Sequence, residues 1–259
     1  FVVMSKSICQ VSVAPVRKEP SDASEMVTQL LFGELCEITE SKKQWIKVKI
    51  VFDGYEGWVD CKQILVISDI EYANFLQETS FISEPFSLLI SNNQPFPVTI
   101  GAEIHHLNEQ NIFELTQGNQ YIVEESLLHG KQDKNQILEL AFKYINTPYL
   151  WGGKTTYGID CSGLVQMVYK MAGYKLPRDA YQQAEVGEVM SFIEESEPGD
   201  LAFFENQEGR IVHVGFILSD QKILHAHGKV RVDNLDYTGI FNSDLNKYTH
   251  QLRVMRKIF

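Results

Sequence analysis

No stretch of this 259-residue chain stays apolar for the roughly 20 residues that a helix needs to cross a bilayer. No two of its four cysteines, Cys9, Cys36, Cys61 and Cys161, stand close enough to form a zinc-binding pair. Positive charge is scarce: 23 Lys and Arg stand against 34 Asp and Glu, a net charge of −11. That balance argues against nucleic acid or an anionic membrane surface as partner, and it permits a substrate that carries a positive group. No secretory leader is visible, since Phe1-Val2-Val3 is far too short; Met4 can itself be a start, or a longer leader can have been removed. Cys9, Cys36 and Cys61 fall in alternating apolar stretches and read as small core residues. Strand cysteines that need no partner suit a reducing compartment, so a cytoplasmic location is favoured over a periplasmic or exported one.

The chain is organised around Thr147–Met171, TPYLWGGKTTYGIDCSGLVQMVYKM. A glycine-bearing loop delivers Cys161 to the start of a helix marked by Leu164, Val165, Val168, Met171 and Ala172 at helical spacing, with Gly173 placed for a C-terminal cap. Unpaired N–H groups and the helix dipole favour negative charge in a first turn. The sequence therefore predicts a lowered thiol pKa and a nucleophilic Cys161, against the common alternative of a buried structural cysteine.

Residues 1–66 read as short strands. Gln10–Ala14 alternates until Pro15 breaks it, and Leu35–Ile38 and Trp45–Ile50 alternate at period two. Short strands at this spacing predict a small barrel. Residues 67–129 predict a short helix at Glu71–Leu76 and five strands, at Phe86–Ile90, Phe96–Ile100, Glu103–Leu107, Ile112–Leu115 and Tyr121–Val123, separated by Asn- and Gly-bearing turns. This is read as a second, degenerate barrel. His105, His106 and His129 have no partner at a useful spacing and read as structural or surface residues. From 130 onward the texture changes. A helical face at Ile137–Ile145 is closed by Pro148, the Cys161 helix follows, and strands are expected at Gly199–Phe204, Val212–Leu218, Lys222–His227 and Leu252–Ile258. Helices followed by an antiparallel sheet make an α+β domain.

A cysteine nucleophile needs a base, and the base needs an orienting group. His213 and His225 lie on two strands joined through Ser219-Asp220-Gln221. They share a face only if the pairing sum is even, with Leu218 opposite Lys222; a strict two-residue turn would put them on opposite faces. A three-residue loop or a bulge is therefore expected. His227 shares the parity of His225 and is the alternative third member.

These residues resemble the NlpC/p60 family of cell-wall cysteine peptidases through PYLWGG, DCSGLV, PGDLAFF, HVGF and ILHA, over roughly residues 130–259. The resemblance implies a papain-like fold with Cys161 as nucleophile, His213 as general base and His225 as the polar third residue. It also implies Tyr149 as an oxyanion donor beside the Cys161 backbone N–H; the alternative for Tyr149 is aromatic packing next to Trp151. The run VRKEPSDASEMVTQLLFGE with WIKV and GYEGWV resembles bacterial SH3-like domains.

SH3-like modules ahead of such a catalytic domain resemble the γ-D-glutamyl-L-diamino-acid endopeptidases, also called dipeptidyl-peptidase VI. That resemblance implies cleavage of L-Ala-γ-D-Glu from the diamino acid of peptidoglycan stem peptides with a free L-Ala amine, as in murein recycling. The third stem residue can be meso-diaminopimelate or L-Lys. The first barrel is implied to close one end of the cleft. Asp160, Tyr55 and Glu25 are implied to hold the substrate ammonium, with Ser162 and Trp151 counted among the substrate-binding residues. Neither metal nor organic cofactor is implied. The expected architecture is two small SH3-like β-barrels, 1–66 and 67–129, followed by a papain-like α+β peptidase domain with an antiparallel sheet, 130–259. The alternatives are a hydrolase of intact or cross-linked wall, an acyltransferase, or a catalytically silent wall-binding protein.

Overall fold

The computed structural model describes residues 5–116 and 118–259. The chain divides into two compact units, one ending at Gly130 and one spanning Lys131–Phe259.

In the first unit an antiparallel sheet of seven described strands runs in the order Met26–Leu31, Val13–Arg17, Glu56–Asp60, Trp45–Ile50, Leu35–Lys42, Ser5–Cys9 and Ile64–Val66. Its alternating inward residues, among them Val16, Leu30, Val48 and Val59, form one core with Cys9 and Cys36. Cys61 departs from expectation: it is exposed in a short 3-10 turn capped by the Asp60 side chain. Pro15 does not break its strand. It sits inside Val13–Arg17, opposite Gln29, and the other flank of that strand meets Glu56–Asp60 at Arg17 and Trp58. A proline is tolerated where no ladder hydrogen bond is asked of its nitrogen.

The strand pairing does not confirm the expected second, degenerate barrel. Among the described residues, 67–129 forms a helix, Asp69–Phe75, with a Ser68/Glu71 capping box, and two small sheets. One sheet has four strands, Gln94–Thr99, Phe86–Ser91, Asn119–Ile122 and Ile112–Thr116; the other has three, Glu103–His105, Thr79–Ile82 and Leu127–Leu128. Their apolar faces share a core with Ile8 and Leu35 of the first sheet and with Phe32 in the turn between two of its strands. Gly33 shows how close the approach is: a Cβ there would fall 2.0 Å from the Glu103 carbonyl oxygen, and its φ is +84°. Hydrophobic burial is roughly proportional to area, so segments too small to bury a face alone gain by sharing one. His105 is structural, as expected. It is buried, stacks on Phe75 and pairs with the Gly33 carbonyl at 2.8 Å and with Thr79 Oγ1 at 3.1 Å.

The second unit carries the expected antiparallel sheet, with more strands than the sequence suggests. The order is Glu188–Met190, Lys247–Lys257, Leu201–Glu205, Ile211–Leu218, Lys222–His227, Lys229–Leu235 and Gly239–Asn242. Gly239–Asn242 returns to pair with Lys247–Lys257, so six of these described strands close into a ring. The helix Lys134–Phe142 starts on an Asp133/Gln136 capping box, and Lys134 ties it to the sheet through Asp200 at 2.9 Å. The helix Cys161–Met171 is buried on every side, which is why its sequence is apolar beyond a single stripe. Gly173 ends it at φ +81°, the left-handed cap that the sequence predicts. No helix among the described residues is long and apolar enough to cross a membrane.

Candidate active site

Cys161 is the first residue of its helix, and Asp160 is the N-cap. The Asp160 carboxylate accepts from the Gly163 N–H at 2.6 Å and from the Gly152 N–H at 2.8 Å, joining the helix start to the glycine loop. Arg178 then grips it with two nitrogens, Nη1 to Oδ1 at 2.9 Å and Nη2 to Oδ2 at 2.7 Å. Ser162 Oγ receives another Arg178 bond at 2.9 Å and lies 3.4 Å from Asp160 Oδ1. Gly163 is required by this packing, because a Cβ there would stand 2.4 Å from the Gly153 carbonyl oxygen and 2.8 Å from Asp160 Oδ1. Asp160, the residue expected to hold a substrate ammonium, is thus itself held by a guanidinium and two amides. Ser162 is likewise buried and engaged with Arg178, whereas Trp151 stands 61% exposed on the loop.

The thiol departs from its expected electrostatics. Burial, followed by the Asp160 charge, pushes the Cys161 pKa up to about 12. Backbone hydrogen bonds from Val214 and Ser162 and the charge of Arg178 act the other way. Desolvation outweighs the helix start, so the resting sulfur is a neutral thiol. The Val214 contact sets the sulfur against the strand that carries His213.

His213 and His225 meet as the pairing argument requires. Leu218 lies opposite Lys222 and Gly215 opposite His225, across a three-residue loop in which Asp220 and Gln221 adopt positive φ. His213 Nε2 is 2.8 Å from His225 Nδ1. Gly215 makes room: a Cβ there would come within 2.9 Å of the His225 Cβ and of Ile223. His225 Nε2 is 3.0 Å from Asp233 Oδ2, and Asp233 is held in turn by Arg231 at 2.8 Å and Asn242 at 3.3 Å.

This chain fixes the tautomers. An ionised carboxylate only accepts, so His225 carries its proton on Nε2 and accepts on Nδ1. His213 then donates from Nε2, which leaves Nδ1 as the basic nitrogen for the thiol. Burial holds His213 well below its ordinary pKa, with the neighbouring His250, His225 and His227 adding to the effect. The pair therefore rests as neutral thiol and neutral imidazole, able to pass one proton when the sulfur attacks.

Tyr149 is on the loop ahead of the cysteine, where its N–H donates to Gly228 O at 2.9 Å. Burial, followed by the Cys161 and Asp160 charges, pushes its phenol up, so the hydroxyl stays protonated and can donate. His227 makes edge-on contacts with His225 and His250. Glu25, with Lys18 at 3.6 Å, and Tyr55, packed against the first sheet's core, belong to the other unit.

Three residues of the site escape the sequence reading: Arg178, Asp233 and His250. Arg178 is announced only by the question of what neutralises an aspartate buried beside a thiol. Asp233 and His250 lie on strands that sequence alternation left out or began too late. The His250 ring stacks on His213 with centroids 4.1 Å apart and planes 22° apart.

A helix-borne cysteine facing a strand-borne histidine pair defines a cysteine peptidase of papain-like architecture. The comparisons with known proteins make this particular. Residues 146–251 match the NlpC/P60 family and residues 16–64 match the bacterial dipeptidyl-peptidase SH3 domain, so the chain joins an NlpC/P60 cysteine peptidase to an SH3-like domain. It is 29% identical over 220 residues to a γ-D-glutamyl-L-lysine dipeptidyl-peptidase of Bacillus subtilis, covering 77% of this chain and 71% of that one. It is 27% identical over 253 residues to dipeptidyl-peptidase 6 of Lysinibacillus sphaericus, covering 86% and 89%. Its fold matches the crystal structure of an NlpC/P60 family protein from Bacillus cereus with a TM-score of 0.83 at 20% identity, covering 98% of this chain and 99% of that one.

Proposed function

We propose that this peptidase cuts the bond between γ-D-Glu and the diamino acid of peptidoglycan stem peptides that begin with a free L-Ala, releasing L-Ala-D-Glu. The observation that carries the chemistry is the run from Cys161 through His213 and His225 to Asp233, closed at 2.8 and 3.0 Å between its imidazoles and its carboxylate. The substrate class is supported by the named activities of the similar proteins.

In the proposed reaction the Cys161 sulfur attacks the γ-carbonyl carbon of D-Glu while His213 Nδ1 takes the thiol proton. The oxyanion accepts hydrogen bonds from the Cys161 N–H and the Tyr149 hydroxyl. Collapse breaks the amide bond, and the proton on His213 leaves with the amine of the diamino acid. Water, deprotonated by His213, then opens the thioester and frees the dipeptide. Asp160 positions the nucleophile through Arg178 and the loop amides, and with Tyr55 and Glu25 it makes up the set proposed for the substrate ammonium. A site that pairs an ammonium with a carboxylate rejects a substrate whose amine is blocked. Ser162 and Trp151 complete the substrate-binding set, the first by shaping the loop and the second by offering an exposed ring. The reaction is placed on freed stem peptides in a reducing, cytoplasmic setting, which suits the free thiols of Cys9, Cys36, Cys61 and Cys161.

The test is to incubate the protein with L-Ala-γ-D-Glu-L-Lys or its diaminopimelate counterpart and follow products by mass spectrometry. L-Ala-D-Glu should appear, and a short quench should trap the dipeptide as a thioester on the peptide containing Cys161. Full activity in Cys161→Ala would overturn the mechanism.

A further inference from the structure

The histidines around the nucleophile support a second chemistry. His250 comes from the strand Lys247–Lys257, paired beside Ile240 and well away in sequence from the two histidines it meets. One ring nitrogen from each of His213, His225 and His250 lies within 4.8 Å of the others. Two of these rings also have a nitrogen engaged by an oxygen: His225 Nε2 faces Asp233 at 3.0 Å, and His250 Nδ1 faces Thr249 Oγ1 at 2.9 Å. Metal-binding histidines characteristically hold their second nitrogen in this way, through a carboxylate or another oxygen. An approach exists as well, since His250 lines a surface groove with Val212, Tyr237 and Tyr248.

We propose that His213, His225 and His250 form a capture site for a divalent transition metal, zinc foremost, and that capture switches the peptidase off. Imidazole suits zinc, and oxygen-preferring cations such as magnesium have no matching donors among these three rings. Zinc–nitrogen bonds of about 2.0–2.1 Å in a tetrahedron set ligand nitrogens roughly 3.3 Å apart. The His213–His225 contact at 2.8 Å therefore opens slightly, and the widest gap closes by about 1.5 Å, within reach of a ring rotation at half-buried His250.

The proton balance explains the loss of activity. Zinc takes the lone pairs of His213 Nε2 and His225 Nδ1, between which one proton is now shared. That proton moves to His213 Nδ1, the nitrogen that would otherwise receive the thiol proton. The three imidazoles stay neutral, water fills the fourth metal position, and Cys161 is left without a base. This shut-off rests on His213 acting as base, as proposed above; the binding of metal does not.

The experiment separates the two. Cys161→Ala protein, which lacks the thiol as a competing ligand, is titrated calorimetrically with zinc chloride, with magnesium chloride as control. The expected result is one zinc per chain, no response to magnesium, and binding at least about tenfold weaker when His250→Phe is added, a change that keeps the ring stacked on His213. His250→Gln is the second variant, and far-ultraviolet circular dichroism checks that each double variant is folded. No zinc binding by Cys161→Ala, or equal binding by the folded double variants, overturns the site. In parallel, the wild-type enzyme should lose activity in zinc and recover it with a chelator. Each His250 variant should resist zinc relative to its own metal-free rate. Zinc bound as expected with hydrolysis unchanged overturns the switch while leaving the site.

Discussion

Asp160 precedes the nucleophile, yet its charge makes the thiolate harder to form. Arg178 offsets that charge, and this explains why a long cation is buried at 1% exposure next to the active cysteine. Removing one partner of a buried ion pair strands the other, so Arg178→Ala should destabilise the protein by about 3–5 kcal/mol. Chemical denaturation would measure it, and a loss below about 1 kcal/mol would show that the pair matters little. Asp233 acts through His225: Asp233→Asn leaves one accepting oxygen, which Arg231 claims, and turns a donating amide toward His225, so the acceptor that fixes the tautomers is lost. It should lower kcat by roughly 100-fold, the lower end of what general-base catalysis itself supplies, while KM changes little. An unchanged kcat and pH profile would remove Asp233 from the account. The histidine cluster also sets a pH dependence. His213 is held well below its ordinary value, and His250 is pushed down to about 3, in both cases chiefly by burial. Between about 6.5 and those values the unfolded chain binds more protons than the native one, so stability is full above about pH 6.5 and falls as the pH drops. The melting temperature should decline from pH 7 to pH 5, and His250→Phe should flatten the decline; a flat or rising wild-type profile would contradict it. Cys161, His213 and His225 are legible in the sequence because each sits in a short motif with its chemistry attached. Arg178, Asp233 and His250 are not, because they act across 8 to 37 residues of chain through contacts that only folding creates.

At the scale of the element, the hairpin Ile211–Leu218 and Lys222–His227 shows how far pattern alone can reach. Parity demanded an odd loop, and the chain has one. Strands hidden from the sequence, such as Lys229–Leu235 and Gly239–Asn242, are short or polar-flanked and gain their place by closing the ring. For a related reason the sequence does not tell a second small barrel from the two small sheets that the strand pairing shows. Alternation marks strands but does not say whether a sheet closes on itself or shares a core with its neighbour. Within the catalytic hairpin, Gly215→Ala should push the His225 and Ile223 side chains aside. A misplacement near 1 Å can cost about 100-fold in rate, so kcat should fall on that order while the fold, read by circular dichroism, survives. Activity within twofold of wild type would show that the close packing at Gly215 is not needed.

For the whole molecule, composition and charge allow a substrate with a positive group, and the two matched domains with their named relatives support a hydrolase of peptidoglycan peptides. The central proposal is that a free L-Ala amine is a condition of cleavage. The most direct measurement is the rate on L-Ala-γ-D-Glu-L-Lys beside its N-acetylated twin, for the wild-type chain and for Glu25→Gln with Tyr55→Phe. The account predicts that the wild type cleaves only the free peptide, and that the double variant loses kcat/KM on it by at least about 100-fold, the discrimination a paired polar group supplies. Equal cleavage of both peptides by the wild type would contradict it, and would leave a cysteine peptidase of intact wall in place of a recycling enzyme.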